Sequence, residues 1–153
     1  TPFMFAGEEI FRDKKGVHNS YKSPDSINAI DWNLKHVNRE QFNYYRELIK
    51  LRKEHPAFRM ATADQVARHL KFDNVKEPNL ISYSLKDHAN GDQWKEIKVV
   101  FNGADEAREV KIPRGKWLVI ADGGRISASG LGESKGGKMT VAPRSALILA
   151  LPQ

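Results

Sequence analysis

Within one polar stretch, Glu8, Glu9, His18, Asn19, Tyr21, Asp25, Asn28, Asp31 and Trp32 carry the groups from which a binding or catalytic wall can be built. Paired carboxylates can act as acid and nucleophile on a glycosidic bond, and two carboxyls about 5 to 5.5 Å apart give retention. Planar amides, carboxylates and aromatic faces are also what a sugar needs for hydrogen bonding and stacking. Spacing along a loop does not set the separation of two carboxyls. These residue types therefore define a polar, sugar-compatible loop and leave catalysis open.

Other chemistries are excluded by residue type or spacing. The chain has no cysteine, so disulfides, thiolate nucleophiles and cysteine metal sites do not arise, and the compartment stays open. His18, His36, His55, His69 and His88 show no HExxH or other ligand spacing, so neither a metal nor a cofactor is indicated. His55, just before Pro56, and His69 read as partners of helix C-termini. Ser20, Ser23 and Ser26 lie in turn contexts without a nucleophile elbow. The run GESKGGKM, residues 132–139, falls short of a phosphate loop: Met139 stands where a hydroxyl must reach Mg²⁺, and a strand-like Met139-Thr140-Val141 follows where a helix is required. It reads instead as a glycine-rich hairpin loop. The net charge of +6 is interleaved with acids throughout, without aromatics along a basic stripe, which argues against nucleic acid as a partner. No apolar run approaches the roughly 18 to 20 residues of a membrane span, and no targeting segment can be read from the opening Thr1-Pro2.

The elements that position the polar stretch follow from pattern. Residues 2–6, apolar on both faces, read as a short buried strand of the kind found in a parallel sheet covered on each side. Residues 7–37 form a connection too long to be structureless unless it is functional, with Gly16 and Ser23-Pro24-Asp25-Ser26 as turns. Asn38 and Gln41 have the spacing of a capping box, and Phe42, Tyr45, Leu48 and Ile49 recur at helical period until His55-Pro56 ends the helix. A second helix is expected over residues 63–70, opened by Thr62 and Gln65 and stabilised by the Val66–Leu70 pair. Beyond it the period changes to two. Residues 80–85, 97–101, 109–112, 117–120 and 145–149 read as short strands punctuated by Asn90-Gly91, Asn102-Gly103, Gly115 and Gly123-Gly124, which means an antiparallel sandwich or barrel-like sheet.

The stretch AGEEIFRDKKGVHNSYKSPDSINAIDW, residues 6–32, resembles the segment after the eighth barrel strand of type I pullulanases, the α-1,6-debranching members of the α-amylase superfamily. The likeness continues through Tyr44-Tyr45-Arg46-Glu47-Leu48-Ile49 and His55-Pro56-Ala57-Phe58-Arg59. Residues 99–103 and 142–146 resemble that family's C-terminal sandwich more weakly.

The resemblance implies a mixed, mainly β fold. Residues 1–60 would be the last strand, substrate-side loop and closing helix of a (β/α)₈ barrel, and residues 61–153 an antiparallel β-sandwich domain led by a short helix. Because a barrel takes roughly 200 residues or more, the resemblance also implies that the family's three catalytic carboxylates lie upstream of Thr1, and none maps onto Glu8, Glu9, Asp25 or Asp31. Asp25 then resembles the loop aspartate that hydrogen-bonds a sugar on the non-reducing side of the scissile bond, with Asn19, Tyr21, Asn28 and Trp32 on the same rim and Glu8 bracing the strand end. The implied partners are α-glucans (pullulan, branched starch, glycogen) and the rest of the barrel. The chain alone is expected to be non-catalytic. It is also expected to self-associate if Phe42, Tyr45 and Ile49 find no other cover. The alternative is an independent glucan-binding sandwich, for which Trp94 and Trp117 are the available tryptophans, although Trp117 follows strand alternation into the core.

Overall fold

The computed structural model describes residues 2–152. It divides into two compact units, Thr1–Arg46 and Glu47–Gln153.

The first unit has little regular structure before its long helix. A single 3₁₀ turn at Glu8–Ile10 is followed by two one-turn helices, α1 (Asp25–Asn28) and α2 (Leu34–Val37). The strand expected over residues 2–6 is not formed. Residues 2–5 have no regular structure, and Phe3 and Phe5 are 91% and 45% exposed. A strand of a parallel sheet exists only through a neighbour that accepts its ladder bonds, and among the described residues no strand pairs with this segment. Ile10, in contrast, is fully buried and anchors the polar stretch.

Helix α3 (Arg39–Glu54) is the long helix that the apolar period predicts. Its expected capping box is not made. Asn38 Nδ2 instead donates to the carbonyl of Ile10 at 2.8 Å, tying the helix start to the 3₁₀ turn. Helix α4 (Ala63–His69) does carry its capping box: Thr62 Oγ1 accepts from the Gln65 amide while the Gln65 side chain accepts from the Thr62 amide. Satisfying these otherwise unpaired donors contributes about 1 kcal/mol to such a short helix.

The second unit is mainly antiparallel β. Its strands are β1 (Leu70–Phe72), β2 (Leu80–Lys86), β3 (Glu96–Asn102), β4 (Arg108–Ile112), β5 (Trp117–Asp122), β6 (Arg125–Ile126), β7 (Gly132–Ser134), β8 (Gly137–Val141) and β9 (Ser145–Leu151). Seven of them form one sheet in the order β1-β2-β3-β9-β5-β6, with β7 also on β5, and β4 pairs with β8 in a second sheet. The five strands legible in the sequence are all present. The region read as a glycine-rich hairpin loop holds more structure than expected, because β7 and β8 form on either side of Gly136.

Alternation along the strands gives the main sheet two apolar faces. On one, Val100, Leu147 and Leu149 join Ile112, Val141 and Trp117 in a buried cluster shared with the second sheet. On the other, Leu85, Ile97, Val99, Ile148 and Ala150 join Leu51 of α3 and Ala57 of the following 3₁₀ turn. Burying side chains of this size stabilises by roughly 1.5 to 3 kcal/mol each. The Trp117 indole donates to the Pro113 carbonyl at 2.8 Å, so its one polar atom is satisfied inside the core.

Candidate functional site

The polar stretch is held in shape by three of its own side chains. Asn28 Nδ2 donates to the carbonyls of Ser20 (2.7 Å) and Ser23 (2.8 Å), while its Oδ1 accepts from Lys14 Nζ at 2.9 Å. Lys14 Nζ also donates to Ser20 Oγ at 2.6 Å. Arg12 reaches across the base of the loop, donating to the carbonyls of Ala6 and Asn28. Arg12 and Lys14 further lie over the Phe5 ring, 5.2 and 5.3 Å from its centroid. Gly7, at φ 97°, makes the bend that admits Arg12, since a Cβ there would lie 2.6 Å from Arg12 Cβ.

This bracing separates the sequence-identified residues into two groups. Asn28 turns inward, with its amide hydrogens and its oxygen committed to the loop. Asn19, Tyr21, Asp25 and Trp32 are exposed, Tyr21 by 75% and Trp32 by 63%. Asp25 is the first residue of α1, where a negative charge is favoured by the free amides of a helix start. His18 and Asp31 are exposed too, and Asp31 Oδ1 accepts from the Asn33 amide at 2.9 Å. Glu9 caps the preceding bend by accepting from the Gly7 amide at 3.1 Å. The loop therefore offers a carboxylate, an amide and two aromatic faces to solvent from a backbone fixed by Lys14, Arg12 and Asn28. Nothing in the spacing of Lys14 and Arg12 marks them in the sequence as loop braces.

The second unit holds two polar groupings. His55 is 2% exposed and Asp92 2% exposed, with His55 Nδ1 3.0 Å from Asp92 Oδ1. The carboxylate also accepts from the amides of Trp94 (2.9 Å) and Ala57 (3.1 Å), and the imidazole stacks on the Trp94 indole with centroids 3.3 Å apart. A buried histidine–aspartate pair has the look of a catalytic dyad, but this one is sealed from substrate and fastens the end of α3 to the β2–β3 connection. His55 does sit at the C-terminal end of α3, as its place before Pro56 suggests, and its ring is in addition held by a carboxylate. Trp94 and Trp117 are 7% and 1% exposed, so neither presents the aromatic face that an independent sugar-binding sandwich would use.

Beside the sheet, Asp73, Ser82 and Lys98 line a concavity of about 380 Å³. Asp73 Oδ2 accepts from Ser82 Oγ at 2.5 Å and from Lys98 Nζ, which also donates to Ser84 Oγ at 3.3 Å. Partial burial raises the Asp73 carboxyl, but the hydrogen bonds from Lys98 and Ser82 and the Lys98 charge outweigh it and hold the group below 3.8. Among the described residues no group of three or more His, Asp or Glu side chains is placed to hold a metal ion, and no helix is long and apolar enough to cross a membrane.

Comparison with known proteins gives a consistent result. The family described as pullulanase, all-beta domain, matches residues 66–125. A pullulanase from Bacillus subtilis is 45% identical over 113 residues, covering 74% of this chain and 16% of its own length. The solved pullulanase from Bacillus acidopullulyticus superposes with a TM-score of 0.91 at 40% identity, covering 97% of this chain and 18% of that one. The Anoxybacillus pullulanase solved with maltotetraose superposes with a TM-score of 0.85 at 38% identity, covering 98% and 21%. The chain thus spans about a fifth or less of the proteins it matches.

Proposed function

We propose, since this chain belongs to the pullulanase family of the α-amylase superfamily as a C-terminal portion of such a protein, that its polar loop is one wall of an α-glucan site. In this reading residues 1–60 are the last strand, substrate-side loop and closing helix of a (β/α)₈ barrel, and residues 61–153 are the adjoining β-sandwich. Residues 2–5 become a strand only beside the barrel strands that this chain does not contain. The whole protein hydrolyses α-1,6-glucosidic bonds in pullulan, branched starch and glycogen with retention, through carboxylates outside these residues. The chain by itself is non-catalytic.

The observation that carries the reading is the division of the loop side chains. Asn28, Lys14 and Arg12 are spent on fixing the backbone, and what is left exposed on that fixed backbone, Asp25, Asn19, Tyr21 and Trp32, is chemistry suited to sugar. Asp25 accepts from a sugar hydroxyl, Tyr21 and Trp32 stack on pyranose faces, Asn19 completes the rim and Asn28 holds it. Phe42 and Tyr45, half-buried, and Ile49, 48% exposed, await the barrel, and in its absence they favour self-association. A second reading, the sandwich as a free-standing glucan binder, has lost the tryptophan faces on which it rested.

Two assays test the proposal. The purified 153-residue chain incubated with pullulan should release no maltotriose, and release would overturn the assignment of catalysis to residues elsewhere. A chimera in which this chain replaces the matching segment of the Bacillus subtilis pullulanase should hydrolyse pullulan, and Asp25→Ala in that chimera should lower kcat/KM by roughly ten- to a hundredfold, the value of one or two lost hydrogen bonds to a charged group.

A further inference from the structure

The face of the main sheet that carries Leu51 and Ala57 is only half covered. The register sets its side chains in three rows. Leu70, Leu85, Ile97 and Ala150 lie opposite one another in the first, and Phe72, Tyr83, Val99 and Ile148 in the second. Ile81, Phe101 and Ala146 form the third. In the first row Leu85, Ile97 and Ala150 are buried beneath the end of α3 and the 3₁₀ turn after it. In the second row Val99 and Ile148 are buried in the same cluster, at 1% and 7%, whereas Phe72 on edge strand β1 is 68% exposed; in the third row Ile81 is 52% and Phe101 44% exposed.

The bare part has the composition of a core. Every position in the three rows is aliphatic or aromatic, and the only polar atom among them is the Tyr83 hydroxyl. The rings lean on one another, Phe72 to Tyr83 at 5.7 Å and Tyr83 to Phe101 at 6.3 Å between centroids, with planes tilted by 56° and 43°. A sugar site needs convergent polar groups around its aromatic faces, and this surface supplies none. A contiguous apolar surface that continues a helix-on-sheet layer without interruption calls for more of the same layer.

We infer that the Phe72–Ile81–Tyr83–Phe101 surface seats a further apolar helix, one supplied by the rest of a pullulanase-type polypeptide and packed alongside the end of α3. This rests on the reading of the chain as part of a larger enzyme, and it specifies which surface of the sandwich that enzyme covers. The occupant is a protein helix because the surface continues an existing helix–sheet interface, and because the relatives contain ample further chain to supply it.

The absence of native cysteine makes the surface directly readable. Phe72→Cys and Phe101→Cys are labelled with a maleimide in the isolated chain and in the chimera with the Bacillus subtilis enzyme, with Lys138→Cys, a position whose side chain is 78% exposed, as reference. The isolated chain should label at all three positions like an open thiol. In the chimera, positions 72 and 101 should slow by at least roughly tenfold, read by mass spectrometry of the labelled peptides, while position 138 is unchanged. Unslowed labelling in the chimera overturns the inference. So does slowing in the isolated chain that disappears on dilution, which would give the face to a second copy, or protection of the isolated chain by maltotetraose, which would make it a sugar surface. Pullulan hydrolysis by the same chimera reports on the larger reading separately: an active chimera with open positions 72 and 101 sinks only the docking surface, and an inactive one with both protected sinks only the enzymatic assignment.

Discussion

Replacing Asp92 by alanine should be among the most damaging single changes in the second unit. The carboxylate satisfies two backbone donors, the amides of Ala57 and Trp94, and faces the His55 ring, all in a setting that excludes water. Alanine strands both amides and the imidazole at once. An unsatisfied buried donor costs about 1 to 3 kcal/mol, and breaking a buried pair from one side costs about 3 to 5 kcal/mol. The contributions overlap, so the expected loss is about 3 to 5 kcal/mol. At about 2 to 4 °C per kcal/mol for a domain of this size, the midpoint should fall by roughly 10 °C. Asp92→Asn keeps an acceptor for one amide and should lose about half as much. Urea unfolding followed by tryptophan fluorescence is a suitable assay, because Trp94 stacks on His55 and senses the cluster directly. A loss below about 1 kcal/mol for Asp92→Ala would refute the view that this cluster fastens α3 to the sheet.

Further changes test other parts of the account. Gly136 has φ 71°, and an added Cβ would lie 2.1 Å from the Pro113 carbonyl oxygen, whereas Gly123 at φ 53° has open space around it. Gly136→Ala should therefore destabilise by about 2 kcal/mol more than Gly123→Ala in the same urea assay. The lowered Asp73 carboxyl contributes stability that is present above its unfolded value of 3.8 and lost as pH falls below 3.8 through the native value. Asp73→Asn should be less stable than the parent at neutral pH, with the difference shrinking as acid protonates Asp73; a constant gap across that range would argue against the Lys98 pairing. Asn28→Ala should raise amide exchange across residues 20–28 while leaving the melting of the β unit unchanged, since its three bonds lie wholly within the loop.

The strands with strong β-branched runs were legible because their apolar faces repeat at period two regardless of partner: β2, β3, β5 and β9 each bury alternate or continuous positions. β6 and β7, at two and three residues, exist only through their pairing to β5, which no local pattern reveals. The same dependence on partners accounts for residues 2–6, whose apolar pattern is that of a strand but which find no strand to pair with among the described residues. In the polar loop, residue type marks Tyr21 and Trp32 as aromatic candidates, and Asp25 is singled out by its place in the family resemblance; all three are exposed. The inward turn of Asn28 was not, because it is created by Lys14 and Arg12 folding back over sequence separations of 14 and 16. His55 and Asp92 lie 37 residues apart, and only the pairing of helix end and β-hairpin brings them together.

Maltotriose release from pullulan by the chimera carrying this chain in place of the matching Bacillus subtilis segment tests the central claim most directly. The account predicts release by the chimera and a marked loss on Asp25→Ala. A chimera that unfolds as cooperatively as the Bacillus subtilis enzyme yet leaves pullulan intact, or one in which Asp25→Ala changes nothing, would contradict the claim that this loop forms a wall of the glucan site.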